Sequence, residues 1–209
     1  MAYDDSDCRH WRFVYESLQE MRLKLKDLNA DLYIFHSEVA EVLEALQAQF
    51  QIHQIFSHVE VGNKITYDRD LAIQQFCHRN GIAWKESPLN GVIRKLKFRK
   101  TWQQRWQQTM TEQPKLVPES GWKILKLDLK FYEALKGPTL AEAITTRNKN
   151  FQQGGEYWAW RYLDSFIKER AVNYSKHISK PLLSRKSCSR LSPYLAYGNI
   201  SMRLSLIHI

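Results

Sequence analysis

Hydroxyl and cationic side chains crowd one short stretch near the end of the chain. Ser189 and Ser192 flank Arg190, and Pro193 follows directly. A serine cap followed by proline at the first helical position is a common helix start. Hydroxyl donors and a guanidinium group at such a start are suited to bind phosphate. The plainer alternative is an ordinary capped helix, which the same residues would also form.

A second stretch joins two glycines to an amphipathic helix. Gly154 and Gly155 precede Glu156, which places an acid in the first helical turn. The apolar residues Ala159, Leu163 and Phe166 then fall on one helical face. From this periodicity alone the stretch is interpreted as a packing helix with a flexible entry.

A third stretch, residues 94–106, interleaves six basic residues with aromatic ones. Phe98, Trp102 and Trp106 recur every four residues, so they can share one helical face. Nucleic-acid binding by charge and base stacking is one interpretation. The other, which the pattern favours, is a solvated basic face over a packed aromatic edge.

The elements that must position these residues alternate in the first part of the chain. Apolar spacing predicts helices and short buried strands in turn, with Ser37 capping the second helix and Gly81 ending the third. The predicted order is helix 14–28, strand 31–36, helix 38–50, strand 52–57, helix 67–80 and a strand from Ile82. This rhythm indicates an α/β fold with a parallel sheet covered on both faces. Because the series begins on a helix, we expect the opening strands to be missing.

The later part of the chain is predicted to be helical. Periodicity weakens between residues 90 and 138, where proline and glycine punctuate the sequence, and helical patterns return afterwards. We therefore divide the chain into a partial α/β domain (1–90), a connection (91–138), the start of a helical domain (139–203) and a tail (204–209).

Composition narrows the class of protein. Hydrophobic residues make up 44% and charged residues 25%, which excludes a disordered tail and a collagen-like fibre. Three widely spaced cysteines without a CxxC motif exclude a disulfide framework and a zinc site, and no other metal-ligand spacing occurs. No apolar run approaches the roughly 18 residues of a membrane span, and the N-terminus is too acidic for a signal peptide. A cytoplasmic protein is expected.

The charge is divided unevenly along the chain. Residues 1–90 hold 9 lysines and arginines against 14 acidic residues, whereas residues 91–209 hold 22 against 8. A basic half of this kind predicts contact with a polyanion.

The stretch from Ser189 to Ser201 closely resembles the flavin-binding signature of the DNA photolyase/cryptochrome family. Gly154–Glu156 with the helix after it is similar to the start of that family's flavin domain, and two earlier segments are similar to its antenna-domain motifs. Segments 173–181 and 184–189 look most like bacterial photolyase-type members. The similar stretches follow the family's order and are 9–14, 17–18, 67–70, 154–166 and 189–201.

The resemblance implies a fold and a chemistry. The fold would be part of a doubly wound parallel-sheet antenna domain followed by the start of an all-α FAD-binding domain. The activity would be that of a deoxyribodipyrimidine photo-lyase, a carbon–carbon lyase that splits pyrimidine dimers in DNA by electron transfer from excited reduced FAD. A second antenna chromophore of folate or deazaflavin type is also implied. The protein would act as a monomer without membrane contact.

The resemblance also implies a set of cofactor-binding residues around the FAD diphosphate. Cys188 stands where relatives often carry threonine, and a thiol is a weaker hydrogen-bond donor than a hydroxyl. No catalytic residue can be assigned in this chain. The implied set is Tyr174, Cys188, Ser189, Arg190, Leu191 and Ser192.

Compared with the family pattern, the chain is expected to be an interior fragment that lacks the first strands and most of the flavin domain. Residues 204–209 depart from the pattern and are predicted to be a non-native tail. We expect the chain by itself to retain little FAD and to be inactive as an enzyme.

Two other functions stay open at this point. A cryptochrome-like blue-light photoreceptor would bind FAD without repairing DNA. A basic nucleic-acid-binding module in residues 91–209 would bind DNA with an affinity that falls steeply with salt and does not depend on dimers.

Overall fold

The computed structural model describes residues 6–89, 91–94, 96–113, 118 and 123–204. The chain divides into two compact units. The α/β unit contains residues 35–112 and 127–138, and the helical unit contains residues 1–34, 113–126 and 139–209. Outside the described residues lie residues 1–5 at the N-terminus, Lys95 of the basic stretch and the predicted tail after Leu204.

Helices dominate both units. Short 3-10 helices at Arg99–Thr101 and Arg170–Asn173 precede α4 and α8. In chain order the elements are α1 Cys8–Lys26, α2 Val39–Gln49, β1 Gln54–His58, α3 Lys64–Asn80, β2 Ala83–Ser87, α4 Trp102–Thr111, α5 Leu129–Leu135, α6 Glu142–Thr145, α7 Glu156–Lys168, α8 Tyr174–His177, α9 Pro181–Ser187 and α10 Ser192–Ala196. None of the helices in this described part is both long and apolar enough to cross a membrane.

The α/β unit is built on a β–α–β element. Strands β1 and β2 pair in parallel, from Gln54 beside Ala83 to His58 beside Ser87. Parallel strands need a crossover connection, and α3 provides it. The predicted alternation of strand, helix and strand is therefore confirmed over residues 54–87. A buried cluster lies between these elements and contains Ile73, Phe76, Cys77 and Ile82.

Capping explains both ends of α3. The side chain of Asn63 accepts a hydrogen bond from the Thr66 N–H at 3.1 Å, so the helix begins three residues before the predicted start. Gly81 follows the helix with φ +65°, the left-handed conformation that favours glycine. The predicted end of the helix at this glycine is confirmed.

Two sequence-based predictions before β1 are wrong. Residues 31–36 form no strand, and the His36 N–H donates to the Lys136 carbonyl at 2.7 Å rather than to a sheet. Ser37 does not cap α2, because its hydroxyl donates to the Leu135 carbonyl at 2.6 Å. These contacts need the backbone to approach closely, and a Cβ on Gly137 would lie 1.9 Å from the His36 carbonyl oxygen.

The helical unit has its own core. Ala159 and Leu163 are fully buried, which confirms the predicted packing face of α7. Tyr194 is also fully buried, its hydroxyl donates to the Gln153 carbonyl at 2.8 Å, and burial raises the pKa of this hydroxyl. Further members of this core are Phe13, Leu191 and Ile200, with Leu204 packed against them.

Helix α1 lies in the helical unit although it precedes α2 and β1 in the chain. The Phe13 ring packs against the Tyr194 ring with centroids 5.1 Å apart, and Arg12 donates to the Ala143 carbonyl of α6. The domain boundaries proposed at residues 90 and 138 stay predictions.

Candidate functional site

Acidic side chains of α1 hold the start of α7. Glu16 accepts a hydrogen bond from the Gly154 N–H at 2.8 Å, and Glu20 accepts from the Tyr157 N–H at 2.9 Å. The first N–H groups of a helix have no partner within it and carry partial positive charge. Two carboxylates from a distant part of the sequence therefore satisfy donors at the start of α7 that Gly155, lacking a side chain, cannot cap.

The two glycines allow α1 to come this close. A Cβ on Gly154 would lie 2.1 Å from the Phe13 carbonyl oxygen, and one on Gly155 would lie 1.9 Å from a Glu20 carboxylate oxygen. Gly155 also has φ +120°, which side chains rarely adopt. Their role is close packing against α1, rather than the flexible helix entry predicted from the sequence.

Glu156 completes this contact. Lys24 Nζ lies 2.7 Å from the Glu156 carboxylate and 3.2 Å from the Glu20 carboxylate. Burial raises the pKa of Glu156, but hydrogen bonds from Lys24 and Trp160 outweigh it and hold the pKa below its ordinary value. Burial likewise lowers the pKa of Lys24, and its hydrogen bonds to Glu156 and Glu20 outweigh that effect and raise it.

Arg190 is fixed in both its backbone and its side chain. Its φ of +60° lies in the left-handed region, which is uncommon for a residue with a side chain. Gln152 Oε1 accepts from Arg190 Nε and Nη2 at 3.3 and 3.2 Å, while Gln152 Nε2 donates to the Arg190 carbonyl at 2.9 Å. This reciprocal pair holds the guanidinium group in one place.

Arg170 holds the residues just before Arg190. Its guanidinium donates to the carbonyls of Cys188 and Ser189, the second at 3.3 Å. The same group donates to the Tyr162 carbonyl at 2.7 Å and to the Ser165 hydroxyl at 3.1 Å. Burial lowers the pKa of Arg170, and the nearby positive charge of Arg190 adds to this effect. The loop is thus tied to α7 through its backbone.

The six residues implied by the resemblance fall into two places. Tyr174 begins α8, with its ring edge-on to Phe166 at 5.9 Å between centroids. Cys188, Ser189 and Arg190 form the loop between α9 and α10. Leu191 is 3% exposed, so its side chain belongs to the core. Ser192 begins α10 and is exposed.

The predicted serine cap of the last helix is wrong. Helix α10 begins at Ser192 itself, Leu191 precedes it, and no side chain caps it. The helix has five residues, so its dipole is small. Positive side chains, rather than the helix start, are what this region offers to an anion.

A cleft of about 320 Å³ in the helical unit gathers those side chains. Arg9, Arg185 and Arg190 line it, and no carboxylate does so among the described residues. Of the six implied residues, only Arg190 is among those that line it. The remaining lining residues are His10, Phe13, Asn150, Phe151, Gln152, Pro193 and Tyr197.

Sequence reasoning missed the contributions of Arg9, Gln152 and Arg185 to this cleft. Arg9 belongs to the segment 9–14 that resembles an antenna-domain motif, and this placed it in a different domain from Arg190. The family similarity of segment 9–14 was the one signal that marked Arg9 as a functional residue. The residue spacing within this segment gave no information that Arg9 would lie near Arg190.

Among the described residues, no three histidine, cysteine or acidic side chains are grouped in a way that could hold a metal ion.

Two solved photolyase structures share this fold. A bacterial class III photolyase from Agrobacterium tumefaciens matches with a TM-score of 0.64 and 17% identity, over 96% of this chain and 43% of its own. An archaeal photolyase from Sulfolobus tokodaii, solved with two FAD molecules, matches with a TM-score of 0.66 and 17% identity, over 97% of this chain and 44% of its own. This chain thus spans less than half the length of either neighbour. No curated protein sequence matches significantly.

The α/β unit and the helical unit of this chain match the corresponding part of these photolyase structures. The predicted fold class is therefore confirmed. The family model described as DNA photolyase matches residues 2–117, more than half of the chain. The chain belongs to the DNA photolyase family.

Proposed function

We propose that this chain is part of a light-driven flavoenzyme that repairs pyrimidine dimers in DNA, and that its helical unit binds the FAD diphosphate. The observation that carries the proposal is the cleft lined by Arg9, Arg185 and Arg190 without a lining carboxylate. Arginine pairs with phosphate through charge-assisted, often bidentate hydrogen bonds. A cleft with three guanidinium groups fits a diphosphate in charge.

Within this site Arg190 has the central role. Gln152 engages Nε and Nη2, which leaves Nη1 without a partner in the described part of the chain. That group would donate to a phosphate oxygen while Gln152 keeps the guanidinium in position. Ser189 and Ser192 would add hydroxyl donors.

The other implied residues would contribute less. Leu191 would offer its backbone N–H, because its side chain is in the core. Cys188 would offer a weak thiol donor, and Tyr174 would reach the site only from α8. When bound, reduced FAD supplies a photo-excited electron donor for splitting the dimer. An antenna chromophore of folate or deazaflavin type and the domain boundaries at residues 90 and 138 are proposed on family grounds.

DNA binding is the second part of the proposal. The excess of 22 basic over 8 acidic residues in residues 91–209 supports a polyanionic partner. We propose that the protein acts on DNA as a cytoplasmic monomer.

The test uses the full-length protein that contains this chain, loaded with reduced FAD, and compares its binding at low salt to one duplex with and without a single thymine dimer. We expect tighter binding of the damaged duplex in the dark and loss of the dimer under blue light. Equal binding of both duplexes would support a basic nucleic-acid-binding module instead. Preference for the dimer is also expected to be absent in a photoreceptor without repair activity.

A further inference from the structure

The basic aromatic stretch of residues 94–106 separates into an anchored and a free part. Arg94 is anchored: Nε donates to the Glu60 carbonyl at 2.5 Å, Nη2 lies 3.3 Å from the Asp70 carboxylate, and the guanidinium lies 5.7 Å from the Tyr67 ring. These contacts lie inside the α/β unit. They also give Tyr67 and Asp70, two residues of a family-like segment, a structural task.

Both tryptophans are anchored as well. Trp102 Nε1 donates to the Gly91 carbonyl at 3.0 Å, and the two indole rings stack with centroids 6.2 Å apart. Gly91 has φ +74°, and a Cβ there would lie 2.5 Å from the Trp106 ring. Trp102 and Trp106 therefore pack as the plainer interpretation of the sequence predicted.

Residues Lys97–Lys100 are different. Phe98 is 76% exposed, more than any other aromatic side chain in the described residues. Lys97, Arg99 and Lys100 are exposed around it, and no described acidic side chain forms an ion pair with them. An apolar ring in water costs free energy, and three unpaired cations repel one another. An anionic partner with a flat apolar face would relieve both costs.

We propose that Lys97–Lys100 binds single-stranded nucleic acid, with Phe98 stacked on an unpaired base and the three flanking cations on the backbone. Aromatic side chains bordered by positive charge are the general means of binding single strands, because every base has a face to stack on. A duplex hides its base faces and would use only the charges. An anionic membrane would need a broader apolar face than one phenyl ring provides.

This site is independent of the flavin site, since none of its residues lines the cleft at Arg190. The test therefore uses the full chain in the dark, without flavin, and an undamaged oligothymidine labelled with a fluorophore. Failure here would leave the proposed repair function untouched, and failure to bind flavin would leave this site untouched.

Phe98→Ala is expected to weaken binding of the oligothymidine about fivefold or more, given about 1–3 kcal/mol for one stacked base. Phe98→Trp, which keeps an aromatic ring at this position, is expected to bind the oligothymidine with about the wild-type affinity. The matched control is Phe56→Ala, which removes another exposed phenylalanine, 72% accessible, from the same unit and should leave affinity unchanged. Since both side chains are exposed, neither change should impair folding.

The charges are tested through salt dependence. The triple variant Lys97→Gln, Arg99→Gln, Lys100→Gln is expected to flatten the slope of log affinity against log salt by about 2, at about 0.7 per backbone contact. The control with equal charge loss is Lys123→Gln, Lys126→Gln, Lys130→Gln. Wild-type affinity in Phe98→Ala, equal effects of the two triple variants, or binding only to vesicles of anionic lipid would each overturn the proposal.

Discussion

Two arginines in the helical unit have different tasks: Arg170 begins a 3-10 helix, and Arg190 lies in the loop between α9 and α10. Arg170 donates to three backbone carbonyls and one hydroxyl, so its hydrogen-bonding capacity is used within the chain. Arg190 is held by one glutamine and keeps Nη1 free of partners among the described residues. The first arginine supports structure, and the second is available for a ligand.

Replacing each arginine by methionine separates these tasks. Arg170→Met leaves the partly buried carbonyls of Tyr162, Cys188 and Ser189 without their donor and should lower the free energy of unfolding by about 1–3 kcal/mol. Arg190→Met should lower it by less than about 1 kcal/mol, because only Gln152 loses a partner. Urea denaturation of both variants checks this order, and equal losses would contradict it.

At the scale of elements, two glycines show two different structural needs. Gly154 lets the backbone of α1 approach the start of α7, and Gly81 ends α3 in a left-handed conformation. Gly154 has a neighbouring carbonyl where its Cβ would be, whereas Gly81 has open space and a left-handed φ of +65°.

Alanine at these two glycines should therefore cost different amounts. Gly81→Ala should lower stability by about 1–2 kcal/mol, the cost of a left-handed alanine. Gly154→Ala should lower it by more, because the Phe13 carbonyl of α1 must move away and the hydrogen bond from the Gly154 N–H to Glu16 is lost with it. Thermal unfolding of the two variants provides the comparison, and a smaller loss for Gly154→Ala would show that α1 does not pack this closely.

The ion pair between α1 and α7 predicts a dependence on pH. The pKa of Glu156 is lowered in the fold, so its contribution to stability is present above about pH 4.3, the unfolded value, and is lost as the pH falls through the folded value. Because the Glu156 side chain is about half exposed, we expect a contribution of only about 0.5 kcal/mol at pH 7.

Glu156→Gln should remove that contribution. The difference in unfolding free energy between wild type and variant, measured in urea, should shrink toward zero as the pH falls below about 4. A difference that stays constant between pH 7 and pH 3 would mean that the charge on Glu156 has no part in it.

Local signals determined which elements could be predicted. Helix α3 with Gly81 and the buried face of α7 follow from periodicity and turn chemistry within a few residues. The predictions of a strand at 31–36 and of a Ser37 cap were wrong because these residues contact α5 and the turn after it, about a hundred residues away in the chain. The capping of α7 by Glu20 could not be predicted for the same reason, since no local pattern links residues 20 and 157.

At the scale of the whole molecule, two anion-facing features lie in different compact units. The arginine cleft is in the helical unit, and the Lys97–Lys100 segment is in the α/β unit. The sequence indicated part of each: Arg190 between two serines, and six basic residues in the stretch 94–106. The sequence could not predict which basic residues are anchored within the chain, as Arg94 and Arg170 are, and which stay available to bind an anion. The acidic and carbonyl partners of the anchored residues come from other elements.

Family membership was the most predictable property of the molecule. Motifs near residues 9–18, 67–70, 154–166 and 189–201 gave the family, and the match over residues 2–117 confirms it. Their positions in space were less predictable. Arg9 lines the same cleft as Arg190, although the two lie at opposite ends of the chain.

The central claim is that the arginine cleft binds the diphosphate of FAD. The most direct measurement is an equilibrium titration of FAD and of riboflavin, which lacks the diphosphate, into wild type, Arg190→Met and the control Arg79→Met from the α/β unit. We expect FAD to bind more tightly than riboflavin, pyrophosphate to compete with it, and Arg190→Met to weaken FAD binding about tenfold or more. The control and the riboflavin affinity should not change. Equal affinities for FAD and riboflavin, or wild-type FAD binding in Arg190→Met, would contradict the claim.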